Sequence, residues 1–105
     1  MLRVDESYDG QEIALTAGQQ FEIALPENPE LPFRWHIAAN GSPVCALQDD
    51  YFEESLRLQT SGGSHIWLFQ ASQPGAASLD LAYEKPGQPV QSSPRKFSLH
   101  VTVML

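Results

Sequence analysis

At 105 residues, 42% hydrophobic, the chain has room for one domain with a buried core, and no apolar run approaches the roughly 20 residues a membrane span needs. A formal net charge of −7, with few cations and only Arg95-Lys96 as a pair, sets nucleic acid aside as a partner. The lone cysteine, Cys45, excludes an intramolecular disulfide and a multi-thiolate zinc site, and its place in "PVCAL" reads as a small buried hydrophobe.

Along the chain, "MLRVDESYDG" lacks the cationic start, apolar centre and small-residue cleavage site of a secretory signal. The protein therefore reads as soluble and either cytosolic or exported after removal of a leader. After a short strand at "LRV", apolar residues recur with period two, the signature of half-buried strands. "EIALT" presents Ile13 and Leu15, "QFEIAL" presents Phe21, Ile23 and Leu25, and "FRWHIA" presents Phe33, Trp35 and Ile37. A short strand at "PVCAL" precedes "YFEESLRLQ", which alternates weakly. "HIWLFQA" is apolar on both faces, "ASLDLAY" presents Leu79, Leu81 and Tyr83, and "KFSLHVTV" presents Phe97, Leu99, Val101 and Val103.

Ala17-Gly18, Asn40-Gly41-Ser42-Pro43, Ser61-Gly62-Gly63 and Gln73-Pro74-Gly75 punctuate these runs with turn chemistry. The spacing predicts an all-β, antiparallel sandwich of about seven to nine strands, one domain over residues 1–105. By the same alternation Trp35, Trp67, Phe69, Tyr83 and Phe97 face inward, which turns Ile66 and Leu68 outward, under a loop or onto a self-association surface.

Catalytic and metal signatures are not found. His36, His65 and His100 fall on predicted strands without a second ligand at metal-site spacing and read as outward-facing solvent residues. No Gly-x-Ser-x-Gly elbow occurs, Cys45 sits in an apolar segment, and "QDDYFEES" lacks the glycine and alternating oxygen ligands of a calcium loop. No cofactor is expected, and the chain does not read as an enzyme.

Two loops are stiffer than strand closure requires, "LPENPELPFRW" and "EKPGQPVQSSPR". Pro29 and Pro32 fix φ and hold Asn28 and Leu31 extended, while Asn28 suits an Asx turn. Gly62 and Gly63, without a Cβ, permit close backbone approach to another surface.

With these motifs in order, the chain resembles the chagasin family, immunoglobulin-like inhibitors of papain-like cysteine proteases. In "GQEIALTAGQQFEIALPENPELPFRW", Asn28, Pro29, Phe33 and Trp35 match that family's Asn-Pro-Thr-Thr-Gly loop and its aromatic-and-Trp sequel. In "SGGSHIWLFQASQPGAASLDLAY", Ser61, Gly62 and Gly63 take the last places of a Gly-x-Gly-Gly loop, Gly75 the turn and Tyr83 the strand end. In "KPGQP", Lys85 and Pro86 stand for the first two residues of Arg-Pro-Trp. The family's threonine pair is here Glu30-Leu31, its loop glycine Pro32, the first residue of its glycine loop Thr60, and its tryptophan Gly87.

The resemblance spans residues 8–103. It implies an immunoglobulin-like sandwich with Greek-key connections and a reversible, competitive inhibitor acting as a monomer on a papain-like cysteine protease. The implied wedge has three parts: Asn28, Pro29, Glu30, Leu31 and Pro32; Thr60, Ser61, Gly62, Gly63 and Ser64; and Lys85, Pro86 and Gly87, continuing to Gln88. Leu31, between two prolines, is the expected apolar anchor. The alternative is an immunoglobulin-like binding or structural module that keeps the fold and has lost inhibition.

Overall fold

The computed structural model describes residues 1–28, 30–54, 62–85 and 95–105, and eight strands run through them. Strands β1 (Leu2–Val4), β3 (Gln20–Glu27), β6 (Gly63–Ala71) and β5 (Cys45–Glu54) lie side by side in that order as one sheet. Strands β2 (Gln11–Thr16), β8 (Arg95–Met104), β7 (Gly75–Glu84) and β4 (Arg34–Asn40) form the second.

Period-two alternation is the physical cause of the sandwich. Along β3 the residues Phe21, Ile23, Leu25 and Glu27 are buried, and along β8 Phe97, Leu99, Val101 and Val103, with less buried residues between. A one-residue slip would expose each row, so the apolar pattern pins the register. Phe21 faces Phe69 across the β3–β6 ladder, their rings stacked at 5.5 Å. Ile23, Leu25, Trp67 and Phe69 of one sheet share a core with Leu79, Leu81, Phe97 and Leu99 of the other. Each such side chain stabilises the fold by about 1.5–3 kcal/mol relative to exposure. Trp35, Trp67, Phe69, Tyr83 and Phe97 are all buried, as the alternation predicts, and Cys45 is buried with its thiol pKa pushed up by burial.

Two features lie beyond what alternation alone can specify. The pairs β1–β3 and β2–β8 are parallel, whereas the remaining ladders are antiparallel. An alternating segment looks the same read in either direction, so strand polarity at the edges comes from the connections. Between β1 and β2 the chain changes sheets through a 3-10 turn at Glu6–Tyr8, capped by Asp5, whose carboxylate accepts the Ser7 N–H at 2.9 Å. Hydrogen bonds from Ser7 hold the Asp5 carboxyl below its ordinary pKa.

The second feature is β5. Instead of a short strand at "PVCAL" and a separate one at "YFEESLRLQ", a single strand runs from Cys45 to Glu54 with an irregularity between Leu47 and Asp49. Residues 55–59 of the expected strand lie outside the described residues. Asp49, Asp50, Glu53 and Glu54 are exposed on this sheet edge, where charge opposes pairing with another chain.

Ile66 corrects a further expectation. It does face the outer side of its sheet, yet it is 0% exposed. Tyr51, its register partner on β5, donates its hydroxyl to Glu22 of β3 at 3.0 Å, so the ring crosses β6 and covers Ile66. Arg3 holds Glu22 at 3.2 Å and Glu53 at 3.7 Å, tying that cover in place. Among the described residues, no helix is long and apolar enough to cross a membrane.

Candidate functional site

Strands β3, β5 and β7 end at the same pole of the sandwich at which β4, β6 and β8 begin. Within one sheet Gly63 pairs with both Glu27 and Glu54, within the other Arg34 pairs with Glu84 and Tyr83 with Arg95, and the Trp35 N–H bond to Glu27 brings the two sets of ends together. The three connections between these strand ends therefore leave from one end of the molecule, and they are the three segments that the sequence singles out.

The first connection, residues 28–33, is closed by its own polar groups. Asn28 Oδ1 accepts the Glu30 N–H at 2.9 Å, and the Leu31 N–H donates to the Asn28 carbonyl at 3.0 Å. Arg34 Nη1 donates to the carbonyls of Leu31 at 2.6 Å and Phe33 at 2.7 Å, with that of Asn28 at 3.5 Å. Leu31 remains 47% exposed. Phe33, expected on a strand, instead ends the loop and stacks on Tyr83 at 5.5 Å.

Beneath the loop lies a carboxylate. Glu27 is 8% exposed and continues the inward row of β3; one of its oxygens accepts the Trp35 N–H at 3.0 Å, and the other lies 3.4 Å from His65 Nδ1. Trp35 Nε1 donates to the Pro26 carbonyl at 2.8 Å, so one indole joins the end of β3 to the start of β4. The Arg95 guanidinium sits 5.7 Å from the Trp35 ring centre and 5.8 Å from that of Tyr83, and pairs with Glu6. Cation–π contacts of this kind contribute about 0.5–1 kcal/mol where partly exposed.

His65 does not face solvent as expected. Since Trp67 points inward and side chains repeat every second residue, His65 shares that face; its ring stacks on Trp67 at 4.1 Å, with Nε2 at 2.8 Å from Asp50. His36 and His100 are exposed as expected, His36 lying 2.9 Å from the buried carboxylate of Glu84 and His100 Nδ1 3.0 Å from the Ser78 hydroxyl.

Gly62 has a reason for being glycine within its own chain as well. Its φ is +101°, and a Cβ there would stand 2.9 Å from the Glu27 carbonyl oxygen and 3.0 Å from Asn28 Cα. The close approach it permits is to the first loop of the same molecule, which sets the roots of two connections wall to wall. Pro26, Glu27, Asn28, Leu31, Gly63, Tyr83 and Arg95 line a cavity of about 220 Å³ between the roots of all three.

Of the residues the sequence nominates, Asn28, Glu30, Leu31, Pro32, Gly62 and Lys85 are at this pole outside the strands, while Gly63 and Ser64 belong to the first turns of the β6 ladder, opposite Glu27 and Pro26. Pro29, Thr60, Ser61, Pro86 and Gly87 lie outside the described residues. Glu27, Arg34, His65 and Arg95 were not nominated. For Glu27 a signal existed: it is a carboxylate in register with Phe21, Ile23 and Leu25, and a charge in an inward row has to be paired.

Residues 14–101 match the family described as chagasin family peptidase inhibitor I42. No curated protein sequence matches. Among solved structures, the cysteine protease inhibitor EhICP2 from Entamoeba histolytica superposes with a TM-score of 0.85 at 16% identity, over 98% of this chain and 94% of that one. Amebosin gives 0.76 at 22% identity over 98% and 97%. PbICP-C, in its complex with falcipain-2, gives 0.62 at 16% identity over 97% and 89%. At these identities the superpositions establish the shared fold.

Proposed function

As the chain belongs to the chagasin family of peptidase inhibitors, we propose that it is a reversible, competitive inhibitor of papain-like cysteine proteases whose three adjoining connections occupy the catalytic cleft. It is an inhibitor domain and not an enzyme. The observation that carries the reading is the convergence of the three loop roots: Glu27 and Asn28, Gly62 and Gly63, and Glu84 and Arg95 share one pole, and Gly62 lies so near Asn28 that a Cβ would not fit between them.

Inhibition by such a surface needs no chemistry of its own. The tip of the glycine segment, Thr60, Ser61 and Gly62, enters the groove on a base formed by Gly63 and Ser64 in the β6 ladder, while Asn28, Pro29, Glu30, Leu31 and Pro32 on one side and Lys85, Pro86 and Gly87 on the other grip its walls. Main-chain groups fill the substrate's place without aligning a scissile bond, so the protease thiolate has no carbonyl to attack in the right geometry. The stiffness of the first loop fits this role, since a segment already ordered loses little entropy on docking. The falcipain-2 complex of PbICP-C, a protein of like fold, supports a papain-like partner.

The test is a titration of papain with the purified chain against a peptide substrate. Competitive inhibition at nanomolar concentration, about −12 kcal/mol of binding free energy, is the expected result. No inhibition at high micromolar concentration would overturn the reading in favour of a binding module.

A further inference from the structure

We infer that Arg34 is the positioning residue of the first loop, a clamp that presents Leu31 to the protease as an anchor acting through its side chain alone; this inference rests on the inhibitor reading above. Three carbonyl oxygens of one short loop, those of Asn28, Leu31 and Phe33, converge on the single nitrogen Arg34 Nη1 at 3.5, 2.6 and 2.7 Å. Carbonyl dipoles aimed at one point repel one another unless positive charge stands between them, so this shape of the loop depends on the cation. A guanidinium suits the task because it stays charged at any ordinary pH and its donors lie in a rigid plane. Arg34 itself stands on firm ground, as the first residue of β4 and in register with Glu84 of the central strand β7.

The consequence concerns what the loop can offer. The Leu31 N–H is taken by the Asn28 carbonyl at 3.0 Å and its carbonyl by Arg34, while the Glu30 N–H is taken by Asn28 Oδ1. A strand-like, main-chain contact with the protease would have to break these bonds. Leu31 as a residue is nonetheless 47% exposed, and it is backed by these turn bonds. The first loop thus recognises an apolar surface on the wall of the cleft, and Arg34 acts through Leu31 without touching the partner.

The experiment compares Arg34→Met, Arg34→Lys, Leu31→Ala and the double variant Leu31→Ala/Arg34→Met. Two readouts are used: inhibition of papain, and amide hydrogen exchange at Leu31 in the free protein. Arg34→Met is expected to speed Leu31 exchange about tenfold and weaken inhibition about tenfold, with Arg34→Lys between it and the parent. On the Leu31→Ala background the same change should alter inhibition by less than about twofold, since there is no anchor left to position.

Unchanged Leu31 exchange in Arg34→Met would overturn the clamp. Faster exchange with losses that simply multiply in the double variant would overturn the link to Leu31. Protection along the β3–β6 ladder reports that each variant is folded; should Arg34→Met fail there, Arg34→Lys carries both comparisons. If the parent protein does not inhibit papain, the inhibitor reading falls, and the exchange rates still decide whether Arg34 orders the loop.

Discussion

The two poles of this sandwich are closed by different balances of main-chain and buried side-chain bonds. At the pole away from the candidate site, main-chain bonds carry most of the closure: Gly18 N–H to the Ala71 carbonyl at 2.7 Å, Ala71 N–H to Gln19 at 2.8 Å, Ser72 N–H to Val44 at 2.8 Å and Ala17 N–H to Met104 at 2.8 Å, with exposed side-chain bonds from Thr16 N–H to Gln19 Oε1 at 2.6 Å and Ser42 N–H to Asn40 Oδ1 at 3.0 Å beside them. At the site pole, side chains close the structure: Glu27 under Trp35, Arg34 inside the first loop, Asn28 on Glu30, and Arg95 over two aromatic rings. Backbone closure tolerates almost any side chain and leaves little to recognise. Closure by side chains allows longer connections to be held in one shape while their outer surface stays free for a partner, and it makes that shape sensitive to single substitutions.

The largest expected effect sits between the poles and serves as their common baseline. Phe69→Ala, removing a fully buried ring stacked on Phe21, should cost about 3–5 kcal/mol in denaturant unfolding, with inhibition per folded molecule unchanged. A change in inhibition there would mean that the site pole is not a separately specified structure.

Next is Glu27→Ala, which takes the acceptor from the buried Trp35 N–H and removes the carboxylate that lies 3.4 Å from His65 Nδ1. A loss of about 2–3 kcal/mol and weaker inhibition are expected. Its counterpart at the other pole, Gln73→Ala, removes an exposed bond to the Pro43 carbonyl and should cost less than about 1 kcal/mol with inhibition intact. Equal costs for the two would erase the contrast.

Gly62 and Gly18 sharpen it further, because their φ angles nearly coincide at +101° and +97°. An added Cβ at Gly18 meets nothing within 4 Å, whereas at Gly62 it meets the Glu27 carbonyl at 2.9 Å. Gly18→Ala should therefore show the backbone strain alone, about 1 kcal/mol, and Gly62→Ala about 2–3 kcal/mol with a measurable loss of inhibition. Thermal melts and inhibition assays on the pair separate strain from displacement of the first loop.

The smallest effect is a pH dependence at Cys45, which lies at the turn pole. Its folded thiol pKa is raised by burial, so the folded state disfavours the thiolate. Stability is then full below the unfolded thiol's value of about 8.5 and declines as pH rises through the folded value. Cys45→Ser should remove this alkaline slope in unfolding curves measured across that range, and a slope that persists would assign it elsewhere.

The strands were legible because a half-buried strand writes its inward row into every second residue, and the core aromatics follow from the same rule. It also placed Glu27 and His65 on inward faces, where the habit of sending charge outward obscured them. The acidic run at residues 49–54 looked like a solvated face and is one, but as an edge strand. The role of Gly62 was legible only as permission for some close contact; which contact depended on where Asn28 stands. Ile66 shows the converse, an apolar residue on an outer face whose cover is supplied by Tyr51 from another strand.

By itself the sequence determined the alternation, hence two sheets with a shared apolar interior, and the stiff proline and glycine segments between strands. Only the tertiary structure decided which segments share a pole and which groups meet, such as the Ser98 N–H with the Asp9 carboxylate, 89 positions away. The reason is that alternation is a local, one-dimensional property enforced by backbone geometry, whereas contact between distant residues depends on strand order, polarity and register, which many alternating sequences would leave open until the whole chain packs.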